Sequence, residues 1–95
     1  MSVKAVYLSS GIVIGEAEEQ VDGGVKMYNP VLAIPQPQNM ALVPFLGLME
    51  EREIVIKADQ MLYGGLFTPA VDLRNHYNKM FGNGIIEAGS NVINL

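Results

Sequence analysis

The sequence contains no cysteine and a single histidine among its 95 residues. Without thiols the chain has no disulfide framework, no thiolate zinc site and no cysteine nucleophile. Charged residues amount to only 17%, whereas hydrophobic residues reach 49%, a balance that excludes a disordered chain. A chain of this length forms one domain, and a domain this small buries a limited share of its surface. We therefore expect an oligomeric domain that covers its apolar surplus with another copy or a partner.

Positive charge is scarce, since six Lys and Arg residues face ten Asp and Glu residues for a net charge of −4. A generic nucleic-acid-binding domain is normally basic, so any nucleic acid would have to bind at a local patch. Long hydrophobic runs are missing as well. The longest, Met40 to Met49, is interrupted by Pro44 and Gly47 and is roughly half the length that crosses a bilayer. Because Met1 to Ser10 has no signal-peptide pattern either, the sequence predicts a cytoplasmic protein.

The first two thirds of the chain have the pattern of five strands joined by short turns. Apolar runs bounded by turn residues predict strands over Val3–Leu8, Ile12–Val21, Val25–Ile34, Met40–Met49 and Ile54–Tyr63. Gly15, in the middle of the second strand, indicates a bulge, a bend or the close approach of another backbone. Asp22-Gly23-Gly24 is a tight-turn signal, and Asn29-Pro30 is expected to kink the third strand or end its pairing.

One helix is predicted after the strands. Thr68 is the expected cap, Pro69 the first helical residue, and Asp72 lies in the first turn, where the helix dipole favours a carboxylate. Gly82 is the expected end of the helix. The apolar stripe that would face the sheet consists of Leu73, Tyr77, Met80 and Phe81.

The chain therefore divides, within a single domain, into three segments. Residues 1–67 are expected to contain the five strands, residues 68–82 the helix, and residues 83–95 a tail. The tail mixes Gly, Asn and Ser with four branched apolar residues. It is either a short extra strand pair or a partly disordered end.

The residue combinations that carry catalysis or bind metals are missing. His76 lies off the apolar stripe of the helix, which is typical of a surface or interface histidine. Glu16 and Glu18 share one face of a strand, where they either bind a hard cation weakly or keep that face solvated. The sequence thus predicts no catalytic residue, no metal site and no cofactor. A small acidic enzyme or metal-binding domain is the least favoured interpretation.

The order of the elements resembles the Sm-like fold of the Sm, LSm and Hfq proteins, a small and strongly bent five-stranded barrel. The first Sm motif is approximated by Val6-Tyr7-Leu8-Ser9-Ser10-Gly11, followed by Gly15, by Asp22 and by the hydrophobic third strand. The second motif typically reads Ile-Arg-Gly-Asp/Asn before apolar residues. Its counterpart here is Ile56-Lys57-Ala58-Asp59-Gln60-Met61-Leu62-Tyr63. The resemblance covers Val3 to Tyr63, about two thirds of the chain.

The sequence departs from the Sm pattern in several places. Lys57 stands where the motif has arginine, and Ala58 where it has glycine. The family's usual helix precedes the first strand, whereas the predicted helix of this chain follows the fifth. The segment Asn78 to Ile85, taken with the strands before it, is similar to a divergent Sm-like branch carried by tailed phages. If a phage encodes the protein, its location would be the host cytoplasm.

The resemblance implies a homo-oligomeric ring. Sm-like subunits pair the fourth strand of one copy with the fifth of the next, which removes exposed sheet edges and closes a ring of about five to seven copies. In this chain the two runs that would pair are Leu42 to Leu48 and Ile54 to Met61. The interface candidates are Leu42, Val43, Phe45, Leu46, Leu48, Ile54 and Ile56.

The resemblance also implies single-stranded RNA as a partner, bound at the pore by Lys57, Asp59, Asp22 and Gly23. Lys57 is either a phosphate contact or an exposed lysine at a strand end. The Asp22-Gly23 turn has no aromatic residue on which a base could stack. Two functions therefore stay open. One is an RNA-binding Sm-like ring, and the other is a structural or protein-interaction ring that does not bind RNA.

Overall fold

The computed structural model describes residues 2–81 and 91–94. These residues form a mainly β fold with one α-helix near the carboxyl end, as the sequence predicts. A 3-10 turn, Ala58–Gln60, separates two of the strands. The elements in chain order are β1 (Ser2–Leu8), β2 (Gly11–Glu19), β3 (Val25–Pro35), β4 (Asn39–Pro44), β5 (Glu53–Ile56), β6 (Leu62–Phe67), α1 (Val71–Phe81) and β7 (Asn91–Asn94).

All strand pairs are antiparallel, and the sheet order is β6-β1-β2-β3-β4-β7. β3 is long enough to pair with two strands along its outer edge. Its first part, from Val25 to Tyr28, pairs with β5, and its last part, from Val31 to Pro35, pairs with β4. Among the described residues β5 and β6 are not paired with each other, so the sheet is open between them.

Two predicted strands have other limits in the structure. The predicted fourth strand ends at Pro44, which cannot donate a hydrogen bond to a ladder, and residues 45–50 form turns. The predicted fifth strand is two strands, β5 and β6, because its middle folds into the 3-10 turn. There the side-chain oxygen of Gln60 accepts a hydrogen bond from the Lys57 amide at 3.0 Å, and the Gln60 amide donates to the Lys57 carbonyl at 3.0 Å. A polar side chain thus competes with the strand ladder for backbone groups.

The helix begins later than the sequence predicts. It starts at Val71, and the Arg74 amide donates to the Ala70 carbonyl at 3.0 Å. Thr68 lies three residues before that start and does not cap the helix. Its hydroxyl accepts a hydrogen bond from the Lys4 ammonium at 2.9 Å. Pro69 is buried ahead of the helix. The predicted helix end at Gly82 and most of the predicted tail lie outside the described residues, while β7 pairs with β4.

The predicted irregularity at Gly15 is confirmed. The β2–β3 register shifts between Ile14 and Glu16, where β3 contributes one extra residue at Asn29-Pro30. Asn29 has a φ of 48°, in the left-handed region that asparagine tolerates. A Cβ at Gly15 would lie 2.5 Å from the Met27 Cγ and 2.9 Å from the Tyr28 carbonyl oxygen. Only glycine therefore fits at this crossing of two strands.

Both faces of the central strands are covered, which explains why β1 and β2 do not alternate strictly. Consecutive residues such as Val13 and Ile14 are both fully buried. One face packs against α1 in the helix-side cluster, and the other packs inside the curled sheet in the opposite-face cluster. The helix-side cluster contains Ala5, Ile14, Val31, Ala33, Leu42, Tyr77 and Met80. The opposite-face cluster contains Val6, Val13, Met27 and Ile56.

Tyr77 attaches the helix to the sheet. Its ring is buried, and its hydroxyl lies 2.8 Å from the Asn29 carbonyl oxygen and 3.1 Å from that of Tyr28, to which it can donate. Burial raises the pKa of Tyr77 well above its usual value, and the nearby Glu16 carboxylate raises it further. The phenol therefore stays neutral and can donate a hydrogen bond to the Tyr28 and Asn29 carbonyls.

Candidate functional site

The structure brings the two turns that carry the candidate RNA-binding residues to the same end of the sheet. Val25, the first residue of β3, pairs with Ile56, the last residue of β5. The turn that precedes β3 therefore adjoins the turn that follows β5. A Cβ at Gly23 would lie 3.6 Å from the Cβ of Ala58, and one at Gly24 would lie 2.9 Å from the Ile56 carbonyl oxygen. We call these two segments, residues 22–24 and 57–60, the adjoining turns.

The first of the adjoining turns is held by backbone hydrogen bonds. The Gln20 amide donates to the Gly24 carbonyl at 2.8 Å, and the Gly23 amide donates to the Gln20 carbonyl at 3.0 Å. The Asp22 carboxylate accepts a hydrogen bond from the Gly24 amide at 2.9 Å. A carboxylate can accept further hydrogen bonds, so Asp22 keeps capacity for a ligand while its position is fixed.

The second of the adjoining turns presents Lys57 and Asp59 to solvent. Lys57 has an extended backbone with φ −72° and ψ 151°, and its side chain is exposed. Its ammonium is a point charge suited to a phosphate. Asp59 and Asp22 supply carboxylate oxygens that can accept from an exocyclic amino group, as carboxylates do with cytosine. The three side chains carry one positive and two negative formal charges, so the adjoining turns are not a basic patch.

A groove of about 520 Å³ runs beside Asp59, where the sheet is open between β5 and β6. Its polar lining comes from the β1–β2 turn, Ser9 and Ser10, and from the 3-10 turn, where Asp59 and Gln60 border it. Its apolar lining includes Phe45, Val55 and Leu62. The groove is open to solvent, and its lining is part polar and part apolar.

The interface candidates occupy three different environments. Leu42 and Ile56 are core residues with 0% and 3% exposure, one in each cluster. Val43, Leu46 and Ile54 are half-buried. Phe45 and Leu48 are exposed, at 41% and 97%.

Sequence reasoning missed the apolar residues that the sheet edges do expose. Val55 on β5 is 61% exposed, and Leu62, Tyr63 and Phe67 on β6 are exposed as well. The alternation of side chains along a strand indicates that Val55 is exposed, because it lies between Ile54 and Ile56, which both face the core. The residues of β6 could not be found in this way, since the predicted fifth strand ran through the 3-10 turn.

The remaining candidates do not form a cluster with these residues. Glu16 is half-buried near Tyr77, whereas Glu18 is exposed. In the part of the chain that the structure describes, no three His, Asp or Glu residues come together as a metal site would require. Within the same residues, the helix is too short and too polar to cross a membrane.

No protein family and no curated protein matches this chain. The function is therefore argued from three features of the described residues. These are the adjoining turns, the groove beside Asp59 and the unpaired edges of β5 and β6.

Proposed function

We propose that the chain is an Sm-like ring-forming protein that binds single-stranded RNA at the adjoining turns. The observation that carries this proposal is the short link between β5 and β6. Residues 57–61 join a strand on the outer edge of β3 to a strand on the outer edge of β1. With three residues in a 3-10 turn, the link spans roughly 16 Å, whereas the outer strands of a flat five-stranded sheet lie about 19 Å apart before any offset along the strands is added.

The sheet β6-β1-β2-β3-β5 must therefore curl until its two outer strands approach each other. The opposite-face cluster fills the inside of this curl, because Ile54, Met61 and Leu66 pack against its buried residues. A curled five-stranded sheet with a 3-10 turn before its last strand supports a bent barrel of the Sm-like type. The five strands of this unit are β1, β2, β3, β5 and β6. The unit therefore ends at Phe67, the last residue of β6, rather than at Tyr63, where the resemblance in sequence ends.

Ring closure would use the two unpaired strand edges. Unpaired backbone N–H and C=O groups on an apolar strand promote aggregation unless another chain covers them. Val55 on β5 and Leu62 on β6 place exposed apolar side chains at these two edges. Pairing β5 of one copy with β6 of the next is a heterologous contact that leaves no free edge once the ring closes.

In such a ring the adjoining turns would be repeated in every subunit. Each copy would contribute one Lys57 ammonium for phosphates and the carboxylates of Asp22 and Asp59 for base edges. The next copy would meet the groove on its Val55 and Leu62 side, which would leave the side lined by Ser9, Ser10 and Asp59 for the nucleotide. Affinity would come from repetition of one cation around a symmetric site rather than from a strongly basic surface.

RNA binding is tested by a mobility-shift titration of the wild-type protein against U-rich and A-rich 12-nucleotide RNAs at two salt concentrations. We expect saturable binding that weakens with salt, because phosphate contacts release counterions. Lys57→Ala should weaken both RNAs to a similar degree and reduce the salt dependence. Lys79→Ala, on the last turn of α1, removes the same charge elsewhere and serves as the matched control. Equal binding by the Lys57→Ala and Lys79→Ala variants would contradict the assignment.

The oligomeric state is tested independently of RNA. Light scattering coupled to size exclusion should give a multiple of the 10.3 kDa subunit mass. Val55→Glu should produce smaller species, because it places a carboxylate on the edge of β5. Val71→Glu, at an exposed position at the start of α1, should leave the assembly intact. A wild-type mass near that of one subunit would contradict the ring.

The second candidate function is a structural or protein-interaction ring that does not bind RNA. The observation that favours it is the charge of the adjoining turns, where two carboxylates accompany one ammonium. The two functions differ in a single result. A ring mass without any RNA shift below the non-specific concentration range, roughly 10⁻⁶ M, would support the structural function.

A further inference from the structure

We propose that the exposed rings of Tyr7, Tyr63 and Phe67 form a base-stacking surface for single-stranded RNA, separate from the adjoining turns. We call these three residues the aromatic surface. Tyr7 lies on β1, and Tyr63 and Phe67 lie on β6. The proposal rests on the RNA-binding function proposed above and adds a second contact to it, one that recognises base planes rather than phosphates.

The three rings are arranged so that they do not cover one another. The ring centroids of Tyr7 and Tyr63 lie 5.3 Å apart with an interplanar angle of 89°. Those of Tyr7 and Phe67 lie 5.3 Å apart at 86°. Edge-to-face packing fixes the rings but does not stack them. Tyr63 is 77% exposed, so its ring offers an open face at the surface.

The backbone beside Tyr63 is unusual. Tyr63, Gly64 and Gly65 have consecutive positive φ angles of 59°, 87° and 114°. Glycine adopts this region freely, but a bulky residue rarely does. The left-handed conformation of Tyr63 is unfavourable by itself and persists only because surrounding contacts compensate for it. Among the described residues, a Cβ at Gly64 or Gly65 would meet no atom within 4 Å. A planar ligand can therefore reach the Tyr63 ring across bare backbone.

The distribution of charge favours a polyanion at this edge. β1 and β6 contain no acidic residue, and their only charged side chain is Lys4. Lys4 lies at the same edge, where its ammonium donates to the Thr68 hydroxyl. By contrast, β2 ends in acidic residues and the segment before β5 is also acidic. In a chain of net charge −4, the β1–β6 edge thus repels a phosphate backbone less than the end of β2 or the segment before β5 does.

The aromatic surface is compatible with ring closure because the two use different parts of β6. Pairing with another copy would use backbone groups along the edge of β6. The rings stand on a face of the sheet, since Tyr7 alternates with Ala5, which belongs to the helix-side cluster. Stacking on aromatic faces accepts any base, so this contact would add affinity without selecting a sequence.

The test compares Tyr63→Gly, Tyr63→Phe and Lys57→Ala with the wild-type protein, using fluorescently labelled 12-nucleotide U-rich and A-rich RNAs at two salt concentrations. Glycine removes the ring and also relieves the left-handed backbone, so Tyr63→Gly should stay folded. We expect Tyr63→Gly to weaken both RNAs about five- to 100-fold with an unchanged salt dependence, because stacking releases no counterions. Tyr63→Phe keeps the ring and should bind within about twofold of the wild type.

The outcomes separate this inference from the proposed function. If the wild type and Tyr63→Gly bind RNA equally while Lys57→Ala binds more weakly, the aromatic surface is not a contact but the function stands. If the wild type binds neither RNA, the proposed function itself fails. Light scattering on Tyr63→Gly provides the last check. A changed assembly mass would identify the aromatic surface as a contact between copies and would overturn the inference.

Discussion

The two clusters that cover the opposite faces of the sheet are closed in different ways. The helix-side cluster is closed by a separate element, and its largest member, Tyr77, is fixed by a hydrogen bond to the bulge in β3. The opposite-face cluster contains no aromatic residue and is covered by other parts of the sheet, through Ile54, Met61 and Leu66. One face therefore depends on a polar anchor and the other on curvature.

The difference indicates where function can reside. Strand pairing brings the adjoining turns together, because Val25 at the start of β3 pairs with Ile56 at the end of β5. The helix covers only part of its face and leaves Tyr7 and Phe67 exposed on the remainder. The adjoining turns and the aromatic surface thus both lie outside the two clusters, beside the elements that cover them.

The largest loss of stability is expected when one buried side chain in each cluster is shortened to alanine. Leu42→Ala removes a fully buried side chain from the helix-side cluster, and Ile56→Ala removes one from the opposite-face cluster. Each should lower the free energy of unfolding by about 2–5 kcal/mol, from lost burial plus the cavity left behind. Urea denaturation at fixed protein concentration measures this. Leu48→Ala, at a 97% exposed position, is the control.

Comparable stability of Ile56→Ala and Leu48→Ala would mean that Ile56 does not belong to a packed core. The fixed concentration is necessary because association shifts apparent stability by mass action.

A somewhat smaller effect is expected from filling the close crossing at Gly15. Gly15→Ala places a methyl group against Met27, which can move, and against the Tyr28 carbonyl, which cannot. We expect a loss of about 1–3 kcal/mol in the free energy of unfolding. Gly47→Ala is the matched control, since the nearest atom to its Cβ is 3.4 Å away and its φ is not positive. Thermal unfolding followed by circular dichroism distinguishes the two variants. Equal unfolding midpoints for Gly15→Ala and Gly47→Ala would contradict the close approach of β3 to Gly15.

Removing the polar anchor should have a smaller effect still. Tyr77→Phe keeps the ring and deletes the hydrogen bond to the Asn29 and Tyr28 carbonyls. The expected loss is about 1 kcal/mol in the free energy of unfolding. Hydrogen exchange should show faster opening of α1, with the amides around the opposite-face cluster unchanged. Equal protection of α1 in both proteins would contradict the anchoring role.

The smallest effect is a dependence on alkaline pH. The pKa of Tyr77 is raised in the folded protein, so above the ordinary tyrosine pKa of about 10 the unfolded chain loses this proton first. The folded state then binds more protons, and stability falls as pH rises beyond about 10, whereas it is unaffected below that value. Urea denaturation between pH 8 and pH 11 measures the slope. Tyr77→Phe should have a shallower slope, and identical slopes would contradict this role.

Sequence patterns predicted the elements whose signals are local. The turn at Asp22-Gly23, the bend at Gly15 and the apolar stripe of the helix each depend on a few neighbouring residues. The division of the predicted fifth strand could not be read from the pattern, because it depends on the Gln60 side chain bonding to Lys57 rather than on hydropathy. The predicted helix start was wrong as well, since the helix begins at Val71 and Thr68 bonds to Lys4, which is distant in sequence.

The candidate site was predicted to a comparable extent. The adjoining turns could be named from the sequence because both follow motif positions. The aromatic surface could not be, since the pairing of Tyr7 with Leu62 brings its residues together only in the folded sheet. The apolar run Leu42 to Leu48 suggested an interface, but Leu42 packs in the helix-side cluster, and no strand pattern reveals the packing of the helix.

The position of β1 between β2 and β6 has a consequence for biosynthesis. β2 follows β1 after a two-residue turn, so one edge of β1 is paired as soon as the chain emerges. The other edge waits for Leu62 to Phe67, which a ribosome working at about 5–20 residues per second adds several seconds later. During that interval the first strand carries an open apolar edge. Nascent chains on neighbouring ribosomes therefore compete with β6 for it, and slow translation between β3 and β6 should lower the yield of correctly folded protein.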